Sequence, residues 1–304
     1  MKKVMKGLLW IFLVLGILAG AGWAWIKWSN HRFEETFYTI YSYKVETPVR
    51  AVLLSDLHQC LFGADNEELV SRIGELGPDI ILIAGDVINK SETDIEYALS
   101  LCSRLAEIAP VYYGLGNHEN EVIYGSDLNR EYLEARQEEL GEEQEDFTPL
   151  IQNRELLQGL DQAGVCVVQN RSVLAEIKGS LIRIGGISTN VSSLWPYSGQ
   201  FVHEFIQAED EVFKILISHR PEPAAEYILG EPVDLVVSGH NHGGIIRIPG
   251  KGGVFSADGG FFPQYTGGMT KQGEMTMIVG RGLGGHGMLP RIFNPPELVI
   301  IDIN

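Results

Sequence analysis

Two imidazoles one residue apart, His240 and His242, sit in the run Gly239-His240-Asn241-His242-Gly243-Gly244, directly after the apolar stretch Val233–Ser238. Such a pair can turn both rings toward one point, and neutral imidazole is a common metal ligand. Taken singly the pair is a weak signal. Four more apolar runs, however, end in side chains of the same chemistry: Asp56-Leu57-His58, Gly85-Asp86, Gly116-Asn117-His118-Glu119 and Ser218-His219-Arg220-Pro221. Of the 8 histidines, only His31, His203 and His286 lie outside these blocks. Carboxylate, amide and imidazole donors without thiolates suit manganese, iron, zinc or cobalt rather than structural zinc. The donors are too many for one ion. Two ions about 3.5–4 Å apart can share a bridging carboxylate and a bridging hydroxide, which attacks phosphorus in line while the cations stabilise the developing charge.

The elements that must position these residues follow from periodicity. Val49–Ser55, Asp79–Ala84 and Val111–Leu115 read as buried strands. Between them, Asn66–Leu76 reads as a helix stopped by Gly77-Pro78, and Thr93–Ile108 as a helix capped by Thr93 with Glu96 three residues on. This β-α-β-α-β series implies a parallel sheet covered by helices, with ligands gathered at the carboxyl ends of the strands. A helix is expected over Ile151–Ala163. The short strands Val165–Val168, Val173–Ile177 and Leu181–Ile187 are expected to form an antiparallel second sheet. Phe213–Ile217 and Val233–Val237 are strands again, with a short helix at about Pro223–Ile228 between them. The Gly-rich last third holds strands at Ile245–Ile248, Met275–Val279 and Leu298–Ile303.

A chain of 304 residues, 45% hydrophobic, can bury a sizeable core. Its net charge of −17 makes free nucleic acid a poor partner, because phosphate binding needs clustered Lys and Arg. Cys60, Cys102 and Cys166 form no CxxC motif and read as small buried hydrophobes. An acidic stretch from Glu131 to Asp146 reads as a solvated insertion, with a lid over the site as the sharper alternative.

At the N-terminus Lys2, Lys3 and Lys6 precede an uncharged stretch from Gly7 to Ile26, long enough as a helix to cross about 30 Å of hydrocarbon. Trp23, Trp25 and Trp28 gather at its far end, where indoles favour the interface. The surplus of positive charge before the span puts the N-terminus in the cytoplasm and the bulk of the chain outside the cell membrane. Ala19-Gly20-Ala21 leaves open a cleaved signal peptide and secretion. The expected organisation is an anchor at 1–28, a connector at 29–48 containing a strand at Phe37–Val45, and one domain at 49–304 with an acidic insertion at about 120–150.

The five blocks, in this order over Val49–Asn304, resemble the calcineurin-like metallophosphoesterases. The resemblance implies an α/β fold, a four-layer α/β/β/α sandwich of two mixed sheets flanked by helices, here preceded by one N-terminal transmembrane helix. It implies that Asp56, His58 and His242 hold one divalent ion, that Asn117, His219 and His240 hold a second, and that Asp86 bridges. His118 corresponds to the family's catalytic non-ligand histidine, which stabilises the transition state or protonates the leaving oxygen. The blocks around Gly239–Pro249, Gly280–Gly284 and Asn294–Glu297 resemble membrane-associated or exported bacterial phosphodiesterases. The run after Asp86 lacks the Asp-Arg-Gly of Ser/Thr protein phosphatases. A phosphodiester, lipid-linked or from the cell envelope, is therefore expected ahead of a phosphomonoester. A non-catalytic metal-binding module of the same fold is the reading of a different class; it should have lost ligands, and none is lost.

Arg220, Arg247, Arg281 and Arg291 can each contact substrate phosphate or serve as an ion pair or carbonyl clamp; Arg281 is the leading substrate candidate. His286, in a Gly-rich loop, is a second candidate for lining the pocket. Glu119 and Glu222 are expected to support motif histidines or backbone rather than to react.

Overall fold

Alternation along the buried strands explains the layers. In β2 (Val49–Leu54), Val52 and Leu54 face one apolar cluster and Ala51 and Leu53 another. β3 (Ile80–Ala84) repeats this, with Ile81 and Ile83 on one side and Ile80 and Leu82 on the other. A strand apolar on both faces must be covered on both faces. The computed structural model of the chain describes residues 2–89, 95–125, 151–187, 199–208, 211–228, 230–256, 259–285 and 289–304.

The first sheet contains β1 (Glu34–Ile40), β2, β3, β4 (Val111–Gly114), β5 (Val165–Val167) and β16 (Glu297–Ile303), in the order β1-β16-β2-β3-β4-β5. All neighbours are parallel except β16 and β2. The second contains β6 (Arg171–Ile177), β7 (Ser180–Ile187), β8 (Phe213–Ser218), β9 (Leu235–Ser238), β14 (Gly268–Gln272) and β15 (Met275–Val279), in the order β14-β15-β9-β8-β7-β6. Its four central strands are parallel and its two edge pairs antiparallel. The short ribbons β10 (Arg247–Ile248) with β11 (Gly252–Gly253), and β12 (Phe255–Ser256) with β13 (Gly260–Phe261), lie beside it.

Between the sheets Ile80, Leu82, Phe213, Ile215, Leu235, Ile278 and Val299 form a fully buried layer. Each such side chain contributes roughly 1.5–3 kcal/mol by leaving water. The outer face of the first sheet is covered by α2 (Glu67–Leu76), α3 (Ile95–Ala106) and α5 (Glu155–Gln162), which bring Leu69, Ile73, Leu101 and Leu160. The outer face of the second is covered by α6 (Gly199–Ile206) and α7 (Pro221–Tyr227), with Phe205 and Ala224 buried there. The expected four-layer α/β/β/α sandwich is the observed architecture.

Local expectations differ in places. Val165–Val167 joins the first sheet, parallel to β4, because α5 returns the chain to that edge; the second sheet is mixed rather than antiparallel. The strand expected at Phe37–Val45 spans Glu34–Ile40 and pairs with β16, so the stretch expected as a connector supplies an edge strand. The helix expected from Thr93 is described from Ile95; Thr93 and the acidic stretch 131–146 lie outside the described residues. Cys102 is buried and Cys60 and Cys166 are half-buried, all three as free thiols.

Before the sandwich runs α1 (Lys2–Asn30); an 18-residue stretch of it reaches a mean hydropathy of 2.1 with none of its residues buried by the rest of the chain. It is a helix long and apolar enough to cross a membrane or to act as a signal sequence.

Candidate metal centre

Five parallel strands, β2, β3, β4, β8 and β9, end at one edge of the sandwich, three from one sheet and two from the other. Their next residues carry Asp56 and His58, Asp86, Asn117 and His118, His219, and His240 and His242. Asn117 and His118 open α4 (Asn117–Tyr124). The two sheets come close at this edge because β4 ends in glycine: a Cβ on Gly114 would stand 2.5 Å from Ile217 Cγ2. The imidazole of His219 crosses the gap, and its Nδ1–H donates to the carbonyl of Ala84 at 2.6 Å.

The backbone at these strand ends is strained. Asp56, His58, Asp86, His240 and His242 all have positive φ, between 46° and 70°. Asp and His tolerate the left-handed region better than most side chains, but each such residue still costs on the order of 1 kcal/mol or more. Fixed bonds hold them there. Asp56 N–H donates to Gly85 O, His58 N–H to Asp86 O, and His240 N–H to the Asp56 carboxylate at 2.9 Å. The left-handed turns swing the side chains into a common space instead of letting them alternate across the sheets.

The converging atoms are electron-pair donors. Asn89 gives its amide N–H to the carbonyl of His58 and to Gln59 Oε1, so its oxygen accepts the Nδ1–H of His58 at 3.2 Å. That leaves the lone pair of His58 on Nε2, which lies 3.1 Å from His242 Nε2; His242 Nε2 in turn lies 3.8 Å from an Asp56 oxygen. On the other side, His219 has its Nδ1–H on Ala84, so Nε2 faces Asn117 Oδ1 at 3.1 Å, His240 Nδ1 at 3.1 Å and Asp86 Oδ2 at 3.2 Å. Asp86 Oδ2 also lies 3.8 Å from His58 Nε2 and from His118 Nε2. Asp56, His58 and His242 thus form one donor group and Asp86, His219 and His240 another, with Asp86 also within reach of His58 and His118. Lone pairs facing one another at these distances repel unless a cation stands between them, so the donor set fits divalent metal.

Protons act in the cation's place when metal is absent. Burial disfavours the imidazolium of His219, but the adjoining Asp86 carboxylate outweighs it and lifts His219 to about 9. Burial pushes Asp86 up, and the surrounding imidazoles, His219 first, more than reverse this and hold it well below the usual carboxylate range. Asp56, in the same field but more dominated by burial, rises to about 6.

Glu119 sits under the centre. Fully buried, its carboxylate accepts the N–H groups of Asp86 (2.8 Å), Val87 (2.8 Å) and Gly116 (2.9 Å) and the hydroxyl of Tyr113 (2.7 Å). Burial first, then the Glu119 charge, raises the Tyr113 phenol well above its ordinary range, so it remains a donor. Gly116 must be glycine, since a Cβ there would overlap the Asp86 carboxylate. Glu222 supports the centre from the far side. It accepts the amide of Asn241 at 2.7 Å, and Asn241 also donates to Tyr265 O, which fixes the turn between His240 and His242.

Other expectations separate. The Arg281 guanidinium is bound to Glu297 at 3.0 Å and to Glu34 at 3.3 Å, an ion-pair clamp between β1 and β16 rather than an open phosphate contact. Arg247 donates to Gly243 O and Thr266 O, and buried Arg291 to Gly284 O and Arg281 O, so both are carbonyl clamps. His286 lies outside the described residues. Gly243 and Gly244 pack against Asn294 and Gly253: a Cβ on either would overlap those partners. Ser256 carries no signal in the sequence, and Asn294 stands out there only as part of the Asn294–Glu297 block. Asn294 donates to the carbonyl of His242 at 2.7 Å, from 52 residues away. Ser256 lines the cleft at the centre together with Asp86, Asn117, His118, His240 and His242.

Residues 49–244 match the calcineurin-like phosphoesterase family. Similar proteins include the metallophosphoesterase YkuE of Bacillus subtilis (strain 168), 24% identical over 99% of this chain and 96% of its own. The UDP-2,3-diacylglucosamine pyrophosphatase LpxG of Chlamydia muridarum is 26% identical, with 83% of each chain covered. The phosphodiesterase YaeI of Escherichia coli (strain K12) is 26% identical over 84% of this chain and 82% of its own.

Proposed function

Because the chain belongs to the calcineurin-like phosphoesterase family, and is therefore a metal-dependent hydrolase of phosphoester bonds, we propose that it is a phosphodiesterase whose substrate is lipid-linked or part of the cell envelope. The observation that carries the reading is the pair of donor groups, Asp56, His58 and His242 on one side and Asp86, His219 and His240 on the other, with Asp86 Oδ2 reaching across to within 3.8 Å of His58 Nε2. Asp56, His58 and His242 would hold one divalent ion, Asn117, His219 and His240 the other, and Asp86 both. Two such ions supply a nucleophile at neutral pH and neutralise charge on the phosphoryl oxygens. The chain's own residues do the rest. The backbone N–H of His118 donates to Asp86 Oδ1 at 2.9 Å and orients the shared carboxylate. The His118 ring, 3.8 Å from Asp86 and lining the cleft, is placed to hand a proton to the leaving oxygen. Glu119 and Asn89 fix the donors so that little rearrangement accompanies reaction.

Support for a lipid-linked substrate comes from α1. Its last turn is seated beside the centre: the Asn30 side chain accepts the Arg291 N–H and donates to Arg291 O, both at 3.1 Å. One relative, LpxG, is a pyrophosphatase of a diacylated nucleotide sugar. We read α1 as an anchor with the sandwich outside the cytoplasm; a reporter active only outside, fused after Asn304, is expected to be active, and inactivity reverses the orientation.

The activity test uses the full chain in detergent with manganese. It is expected to hydrolyse bis(p-nitrophenyl) phosphate faster than p-nitrophenyl phosphate, and Asp86→Asn is expected to remove both activities. A preference for the monoester sinks the diester assignment. Inactivity with manganese, iron, zinc and cobalt alike sinks the reading of these residues as an active centre.

A further inference from the structure

Six of the exposed aromatic and aliphatic side chains outside α1 belong to the neighbouring stretches 246–248, 261–262 and 289–293. Phe261 is 76% exposed, Phe262 64%, Phe293 58% and Leu289 58%, and Ile246 and Ile248 are each 40% exposed. Backbone bonds join them. Ile246 bridges to Ile292, Val254 N–H donates to Ile246 O at 2.8 Å, and Phe262 N–H donates to Val254 O at 2.8 Å. Phe261 stacks edge-on against Phe255 across the β12–β13 ribbon, at 5.4 Å between centroids. The series continues into α1, where the ring of Trp25 lies 5.7 Å from that of Phe293. From the tryptophan end of the apolar helix to the aromatic ribbon, the apolar surface is therefore linked step by step.

Two features set this region apart from ordinary surface apolar residues, which occur singly and need no explanation. Phe262 and Phe293 both stand at positive φ, 55° and 51°, where a bulky side chain is a costly outlier. The strain is spent on exposed rings, with no core packing in return. The same ribbon also reaches the metal centre, because Ser256 lines the cleft beside His240 and His242. Only residues 31–33 separate α1 from β1, a tether of about 10 Å when fully extended. The aromatic ribbon cannot stand far from whatever surface α1 enters.

We propose that this aromatic rim lies in the interfacial layer of the bilayer that α1 enters, so that the metal centre opens at headgroup level. Aromatic rings are favoured at that depth, and each contributes apolar area that water would otherwise cover. A phosphoester joined to a lipid is then presented to Asp86 and His118 without leaving the membrane. The inference rests on the reading of α1 as an anchor and names the surface through which the substrate arrives.

The test uses the full chain in vesicles of phosphatidylethanolamine and phosphatidylglycerol, with the photoreactive analogue p-benzoylphenylalanine placed singly at 261, 262 or 293. The control is the same analogue at 43, where Tyr43 is 88% exposed near Asp234, at the opposite end of β9 from His240. After irradiation, lipid adducts at 262 and 293 are expected at ten or more times the yield at 43. Flotation of the chain with the vesicles reports the anchor separately, and hydrolysis of bis(p-nitrophenyl) phosphate reports the metal centre. A chain that floats and hydrolyses but gives equal adducts at all positions, or protein–protein adducts instead of lipid ones, overturns the inference and leaves the function reading intact. A chain that does not float overturns both the anchor and the rim.

Discussion

The Glu119 carboxylate accepts the backbone N–H of Asp86 at 2.8 Å, and through it sets the position of the carboxylate that faces His219, His58 and His118. Glu119→Gln keeps the shape but turns an amide N–H toward at least one of the N–H donors at Asp86, Val87 and Gly116. A buried donor left unmatched costs about 1–3 kcal/mol. Disturbing such outer partners weakens metal affinity or activity by roughly 10–100-fold. The variant is expected to show that loss in kcat together with a lower Tm. Unchanged metal content and kcat would show that Asp86 holds its place without Glu119.

His240 and His242 belong to different donor groups although one residue separates them. Elemental analysis of the purified full chain is expected to find about two ions in the wild type. His240→Ala and His242→Ala should each retain about one, and Asp86→Asn fewer than one. Loss of both ions from either histidine variant would mean that the groups do not load independently.

His118 lies as close to Asp86 Oδ2 as His58 does, both at 3.8 Å, so distance does not separate a ligand from a proton donor. His118→Asn is expected to keep two ions while kcat falls by about 10²–10⁴, the usual range for a lost general acid. The drop should be smaller for p-nitrophenyl esters, whose leaving group needs little protonation. Loss of one ion from this variant would make His118 a ligand.

The metal-free centre should have its own pH dependence. His219 rises from 6.5 to about 9 in the folded chain, because the Asp86 charge overcomes burial. Its stabilising contribution is therefore complete below pH 6.5 and lost as pH rises through about 9. Asp56, raised from 3.8 to about 6 by burial, acts in the same direction at lower pH: what its neutral form contributes is gone above about 6. In EDTA, Tm is expected to fall between pH 6.5 and 9. With manganese the fall should shrink or reverse, since the ion displaces these protons and binds more tightly as they leave. A metal-free Tm that rises over this window would overturn the assignment.

Gly243, at φ 67°, packs against Asn294, which in turn holds the His242 carbonyl. Gly243→Ala and Asn294→Ala are each expected to destabilise the chain by about 1–3 kcal/mol in urea titrations, through backbone strain and a lost buried bond respectively. Together they should cost less than their sum, because the shorter side chain at 294 removes the overlap. Strict additivity would place the two residues out of contact in solution.

Residues of the centre were legible in the sequence because each follows a buried strand by one to four positions. In a parallel sheet that local fact is enough to send them to one edge, and Asp56, His58, Asp86, Asn117, His118, His219, His240 and His242 all meet there. The layers were legible for the same reason, since two-sided apolar strands require two-sided cover. Contacts between distant stretches of chain were beyond a local reading. Nothing near Arg281 announces that Glu34, 247 residues earlier, takes its guanidinium, and nothing in Val165–Val167 says which sheet it joins. The left-handed turns at the strand ends, the carboxylate of Glu119 beneath Asp86, and the aromatic path from Trp25 through Phe293 to Phe262 exist only once both sheets are packed. Apolar periodicity fixes which residues face inward, and therefore the sequence alone determined the layers and which donor side chains gather at one edge. Which inward and outward groups touch depends on how the layers close, and only the tertiary structure decided that.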